Sequence, residues 1–169
     1  MSLGEYSTQF CEQPTTVCLI GPSGAGKTTI ASRIVSRDDQ IVSSDDIRRK
    51  LTGTASAMEA SGVARKILLE VVAYRASHGH STIVDATSLH RRERSEIADS
   101  ASDSRLWALI VEASLDTCIA RQNLRARQVP KSVIRKQHRR LGQLEFDPLR
   151  FERIDVWRSE GAELVEVSP

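Results

Sequence analysis

Eight residues, Gly21-Pro22-Ser23-Gly24-Ala25-Gly26-Lys27-Thr28, directly follow the apolar run Val17-Cys18-Leu19-Ile20. They fit the pattern G-x-x-x-x-G-K-[ST] between a strand and a helix, the arrangement that wraps a phosphate chain in inward-facing backbone N–H groups. The helix starting near Lys27 adds unpaired N–H groups and the positive end of its dipole. In this pattern the residues from Ser23 through Gly24, Ala25, Gly26, Lys27 and Thr28 to Thr29 contact the nucleotide. Lys27 bridges the β- and γ-phosphates, and the Thr28 hydroxyl ligates a magnesium ion. The loop therefore implies ATP or another nucleoside triphosphate with Mg2+. It leaves open where the γ-phosphate goes.

Two acidic segments and one basic stretch bear on that question. Ser43-Ser44-Asp45-Asp46-Ile47-Arg48 follows a short apolar run. Beyond the carboxyl end of a parallel strand, a carboxylate such as Asp45 can accept a proton from an attacking hydroxyl or hold magnesium through water. Arg48, three residues on, shares its helical face. The same residues also suit a helix start, with Ser44 or Asp45 as the cap, and both readings stand. The second segment, Thr82-Ile83-Val84-Asp85, closes an apolar run on an aspartate beside the loop. No glutamate follows Asp85, so the carboxylate pair of motor ATPases is absent, and no Asn-Lys-x-Asp guanine-reading motif occurs. Arg91, Arg92 and Arg94 downstream read as a solvated helix face.

From Arg121 to Arg140 the chain carries eight Lys or Arg residues and no Asp or Glu. Such a block repels itself unless an anion is present part of the time. Arg121 and Arg125 share a helix face, and Arg127 follows in a turn that stops at Pro130. Arginines so placed can lie over a triphosphate as a lid. Lys131, Arg135, Lys136, Arg139 and Arg140 suit either a polynucleotide backbone or open solvent.

These groups need a frame. Strand-like runs are expected at 16–20, 40–43, 82–85, 106–112 and 163–167. Helices are expected at 27–36, 46–51, 58–77, 91–101, 115–124 and 131–143. The alternation, with β-branched strand cores, predicts an α/β fold: a mostly parallel sheet covered by helices on both faces, in three layers. In 58–77 the apolar residues Val63, Ile67, Val71 and Tyr74 form a helical stripe, expected to face the core.

The 169 residues and net charge of +2 suit one domain and say little about partners. Residues 1–15 are expected to be disordered or a remnant of cloning, and 16–169 to form the domain, with a helical lid at about 121–142. Cys11, Cys18 and Cys118 show no metal-ligand or redox spacing, which fits packed thiols in a reducing cytoplasm. No signal peptide or membrane-length apolar run is present.

Taken together, GPSGAGKTT, SSDDIR, VDAT and an R-x-x-x-R before Val-Pro resemble the 5′-polynucleotide kinases of phage and bacterial nucleic-acid repair. The likeness runs from about residue 16 to 141. It implies a P-loop kinase fold and ATP- and magnesium-dependent phosphorylation of the 5′-hydroxyl end of DNA or RNA. By that resemblance Asp45 is the general base, Arg48 and Asp85 lie on the acceptor side, and Arg125 bridges the donor phosphates with Arg121 supporting it. Other repair modules would then be natural partners. One departure is Ser88, where the family often has asparagine; serine keeps a hydroxyl but loses the amide. Zeta-type toxins, gluconate kinases and antibiotic phosphotransferases share the loop and similar acidic elements, so a small hydroxylated acceptor is the alternative. A nucleotide-dependent binding module without catalysis is a third reading.

Overall fold

The computed structural model describes residues 2–145 and 150–167. Met1, and residues 146–149 and 168–169 of the expected 16–169 domain, lie outside the described residues. In chain order the elements are α1 (Leu3–Glu12), β1 (Thr15–Ile20), α2 (Lys27–Ile34), β2 (Ile41–Ser43), α3 (Ser44–Thr52), α4 (Ser61–Ser77), β3 (Thr82–Asp85), α5 (Arg91–Ser100), β4 (Arg105–Glu112), α6 (Leu115–Asn123), α7 (Lys131–Leu141), β5 (Arg153–Arg158) and β6 (Glu163–Val167).

All six residues of β1 are buried, and the period-2 alternation of a strand divides its apolar side chains between two cores. Val17 and Leu19 join Tyr6, Phe10, Ile30, Ile34, Leu109 and Ile134 on one face. Cys18 and Ile20 join Leu68, Val72, Ile97 and Ile110 on the other. The sheet order is β2-β3-β1-β4-β5-β6. Only the β5–β6 pair is antiparallel. This is the expected P-loop kinase-type α/β/α fold. It brings the carboxyl ends of β1, β2 and β3 to one edge, because β3 pairs in parallel with both neighbours.

Three expectations about local structure are corrected. The segment expected to be disordered or a remnant of cloning holds a helix, α1, closed at its N-terminus by a capping box between Ser2 and Glu5. It seats Tyr6 and Phe10, both fully buried, against the sheet. Burial of such side chains contributes about 1.5–3 kcal/mol each, which is why the segment folds onto the sheet. Second, β5 has no counterpart among the expected strands. Its Arg153 and Asp155 look like loop residues, yet Asp155 is fully buried and paired with Arg153 at 2.7 Å. The Arg153 guanidinium lies 5.1 Å and 5.0 Å from the ring centroids of Tyr6 and Trp107. Third, the apolar stripe of α4 is turned by one residue. Ala64, Leu68, Val72 and Ala76 face the sheet, whereas Val63, Val71 and Tyr74 are exposed. Two apolar stripes interleave on this helix, and the one holding two alanines wins because small side chains let the helix approach the sheet closely.

Candidate active site

The glycine positions of the loop are fixed by close approach. Gly24 has φ +89, and a Cβ there would overlap the Cys118 carbonyl oxygen of α6. Gly26 is the N-cap of α2 with φ +106, a left-handed conformation that glycine adopts without steric cost. Lys27, 9% exposed, folds back and donates from Nζ to the Gly21 and Pro22 carbonyls, each at 2.8 Å. The Ser23 N–H is taken by the Gln137 side-chain carbonyl of α7 at 2.9 Å.

Burial brings the Lys27 ammonium down to about 8, against the attraction of Asp85 and with the help of Arg125. A triphosphate would restore the charge. Below pH 8 the lysine is charged in both free and bound forms; above it the free form loses its proton and binding must take one up. Nucleotide affinity should therefore fall as pH rises, about tenfold between pH 7 and pH 9. Fluorescence titration with ATP at both values checks this, and equal affinity would contradict it.

Beside the loop, the Thr28 hydroxyl donates to Asp85 at 2.7 Å. Asp85, expected on the acceptor side, thus has one carboxylate oxygen engaged by the loop's Thr28. A hydroxyl and one carboxylate suit magnesium, which binds through one or two carboxylates plus substrate phosphates rather than an all-protein cage. Accordingly, no cluster of three or more His, Cys, Asp or Glu able to hold a metal occurs among the described residues.

The N-cap of α3 is Ser43, whose hydroxyl accepts from Asp46 N–H. That leaves the Asp45 carboxylate free of capping. One of its oxygens accepts from Arg48, and the other from Arg127 at 3.0 Å. Arg48 is itself buried and anchored by its Nε to the Ala55 carbonyl at 3.1 Å. Sequence reasoning placed Arg127 among arginines able to lie over the triphosphate, not on Asp45. The R-x-R spacing of Arg125 and Arg127 in an acid-free stretch was the available signal. For Gln137 there was none.

A single cleft of about 1310 Å3 is lined by Ser23, Gly24, Gly26, Lys27, Thr28, Asp45, Arg48, Asp85, Arg125 and Arg127. Ala25, Thr29 and Arg121 are not among its lining residues. Ala25 is buried in the core and Thr29 is exposed on α2. Arg121 instead braces the outside of the loop, donating to the Gly24 and Ala25 carbonyls at 3.4 and 3.2 Å and to the Ser159 hydroxyl at 3.0 Å. The N-terminus of α6 is held by Glu160, which accepts from the Thr117 hydroxyl and the Ser114 N–H. These bonds keep its carboxyl down to about 2.

The expected solvated face of α5 is corrected for Arg94. Arg91 and Arg92 are exposed, but Arg94 is buried and donates to the Ser88 carbonyl at 3.0 Å and the Glu145 carbonyl at 2.6 Å. Ser88 sits at φ 45 and is 1% exposed. Its hydroxyl and the Arg65 Nη2 are buried polar atoms with no hydrogen-bond partner among the described residues, and both residues line the cleft.

A family model described as an AAA domain matches residues 17–144. The chain belongs to this AAA domain family. No curated protein sequence matches it. Among solved structures, a chain of the Pnkp1/Rnl/Hen1 RNA repair complex is similar at 20% identity and a TM-score of 0.68, covering 79% of this AAA domain chain. The AAA domain chain spans only 47% of that relative's length. A chain of the PezAT toxin–antitoxin system of Streptococcus pneumoniae is similar at 21% identity and a TM-score of 0.61, with coverage of 96% and 76%. A gluconokinase from Sinorhizobium meliloti 1021 is similar at 21% identity and a TM-score of 0.53, with coverage of 85% and 82%. At these identities the likeness establishes a P-loop kinase-like fold for this AAA domain. Among the described residues no helix is long and apolar enough to cross a membrane.

Proposed function

We propose that this AAA domain protein transfers the γ-phosphate of ATP, with Mg2+, to the 5′-hydroxyl end of a DNA or RNA strand. One observation carries the reading: Asp45, held between two arginines, lines the same cleft as Lys27 and Thr28. Residues 16–169 would form the kinase domain, with the lid arginines within 121–142, in a cytoplasmic protein.

In the reaction Asp45 accepts the hydroxyl proton as the acceptor oxygen bonds to the γ-phosphorus. The bond to the β–γ bridging oxygen breaks, and ADP leaves. Lys27 exchanges the Gly21 and Pro22 carbonyls for phosphate oxygens, and Arg125 closes on the same group from the lid side. Thr28 and Asp85 would hold magnesium, which neutralises charge on the phosphates when bound. The acceptor would lie along Asp45, Arg48 and the wall that carries Arg65 and Ser88.

A polynucleotide acceptor is favoured by α7, whose Lys131, Arg135, Lys136 and Arg139 are exposed on the same helix that places Val133 and Gln137 in the cleft wall. Label from γ-labelled ATP should appear on a 5′-hydroxyl oligonucleotide. Oligonucleotide affinity should drop steeply between 50 and 200 mM salt, by about tenfold or more for a few lost phosphate contacts. The second reading, a small hydroxylated acceptor, is favoured by the coverage of both chains in the gluconokinase match. Label on a sugar acid or sugar with none on the oligonucleotide would replace the first reading with the second.

A further inference from the structure

One carboxylate of the cleft serves two guanidiniums. Asp45 binds Arg48 through one oxygen and Arg127 through the other. The two arginines are not held equally. The Arg48 side chain is 10% exposed and also fixed to the Ala55 carbonyl. Its pKa is lowered by burial and then by the charge of Arg127, so the two cations repel one another at this spot. The Arg127 side chain is 30% exposed. Its other contact is the Met58 thioether at 3.5 Å, a weak acceptor. It stands between α6 and α7, on a segment tied at its base by Val129 N–H to Gln122 Oε1 at 3.2 Å and by Gln128 Nε2 to the Asn123 carbonyl at 3.2 Å.

We propose that Arg127 is a specificity-determining residue that leaves Asp45 for an anionic oxygen of the acceptor, a phosphate ester neighbouring the nucleoside that bears the reacting hydroxyl. The exchange keeps a charge-assisted partner on Arg127 throughout. It leaves Asp45 with Arg48 on one oxygen and the other oxygen open to the hydroxyl. An acceptor with no such anion leaves Arg127 on Asp45. This inference rests on the proposed transfer to a 5′-hydroxyl.

The test compares a nucleoside 3′-phosphate with the same nucleoside unphosphorylated, using the full chain, γ-labelled ATP, and the variants Arg127→Ala and Arg127→Lys. Thermal melting verifies that each variant is folded. In Arg127→Ala the KM for the phosphorylated acceptor should rise about tenfold or more, as expected for loss of a charged hydrogen bond. The KM for the bare nucleoside should not rise, because it carries no anion for Arg127 to bind, and its turnover should increase as the second Asp45 oxygen is freed. Arg127→Lys should recover part of the loss, because a point charge keeps the attraction without the fork. Equal effects on both acceptors, or none on either, would overturn the inference while leaving the kinase reading intact. A wild-type protein that labels neither acceptor nor any 5′-hydroxyl oligonucleotide would overturn both.

Discussion

Arg125→Ala should slow phosphoryl transfer by about 10³- to 10⁵-fold, the scale of an arginine that neutralises charge on a transferring phosphoryl group. Arg125 is exposed, lines the cleft with Lys27, and acts on Lys27 electrostatically across the empty site. Two cations that disfavour each other without ligand gain most when a triphosphate lies between them, and more as charge moves onto its terminal group. Single-turnover transfer from labelled ATP separates this effect from binding. Arg125→Lys should fall between wild type and alanine, since lysine keeps the charge but not the planar fork. A second readout follows from the sign of the coupling. Arg125 pushes the Lys27 pKa down, so its removal should move the loss of ATP affinity to higher pH. Transfer within tenfold of wild type in Arg125→Ala would remove Arg125 from the proposed mechanism.

Asp45→Asn should reduce transfer by about 10²- to 10⁴-fold, the usual contribution of a general base, while ATP binding stays near wild type. The separation is expected because Asp45 is on α3, whereas the loop, Thr28 and Asp85 are the proposed donor side. The Asp45 side chain is 49% exposed but the Arg48 side chain it pairs with is only 10% exposed, so the substitution should also lower stability, and thermal melting of the variant is measured beside the assay. The measurements are transfer rate and nucleotide affinity on the same preparation. Near wild-type turnover in Asp45→Asn would show that another group takes the proton, and Asp45 would then only place the two arginines.

Much of the frame was legible because its signals are local. The phosphate loop, β1, β3 and β4 follow from glycine spacing and β-branched runs. Cys18 and Cys118 are packed thiols as expected, and burial pushes the Cys18 thiol up to about 11. What escaped depends on partners distant in sequence. Arg153 and Asp155 fit a buried strand because they pair with each other and the Arg153 guanidinium lies over Tyr6 and Trp107, and Tyr6 belongs to a segment whose Ser2–Glu5 capping box was the overlooked clue. On α4 periodicity gave the helix but not its rotation, since both candidate faces are apolar. Arg94 reads as surface in any pattern of charge, and its burial depends on partners such as the Ser88 and Glu145 carbonyls. In the site, the sequence could place Asp45 near Arg48, three residues away. It could not show Arg127 arriving from 82 residues along the chain.

The brace made by Arg121 has a mechanical consequence. With Arg121 bonded to the loop and Glu160 holding Ser114 and Thr117, α6 is fastened at both ends, to the phosphate loop at one and to Glu160 at the other. The next helix is fastened too: Ile134 is fully buried, Gln137 holds Ser23 N–H, and His138 Nε2 lies 3.1 Å from the Ala113 carbonyl oxygen. On the proposed reading the part left to move would be the short strap between these two helices, which carries both Arg125 and Arg127 and is tied at its base by the Gln122–Val129 bond. Any swing of the strap would carry both arginines at once, so loosening the proposed acceptor contact would also loosen the proposed grip on the donor phosphates.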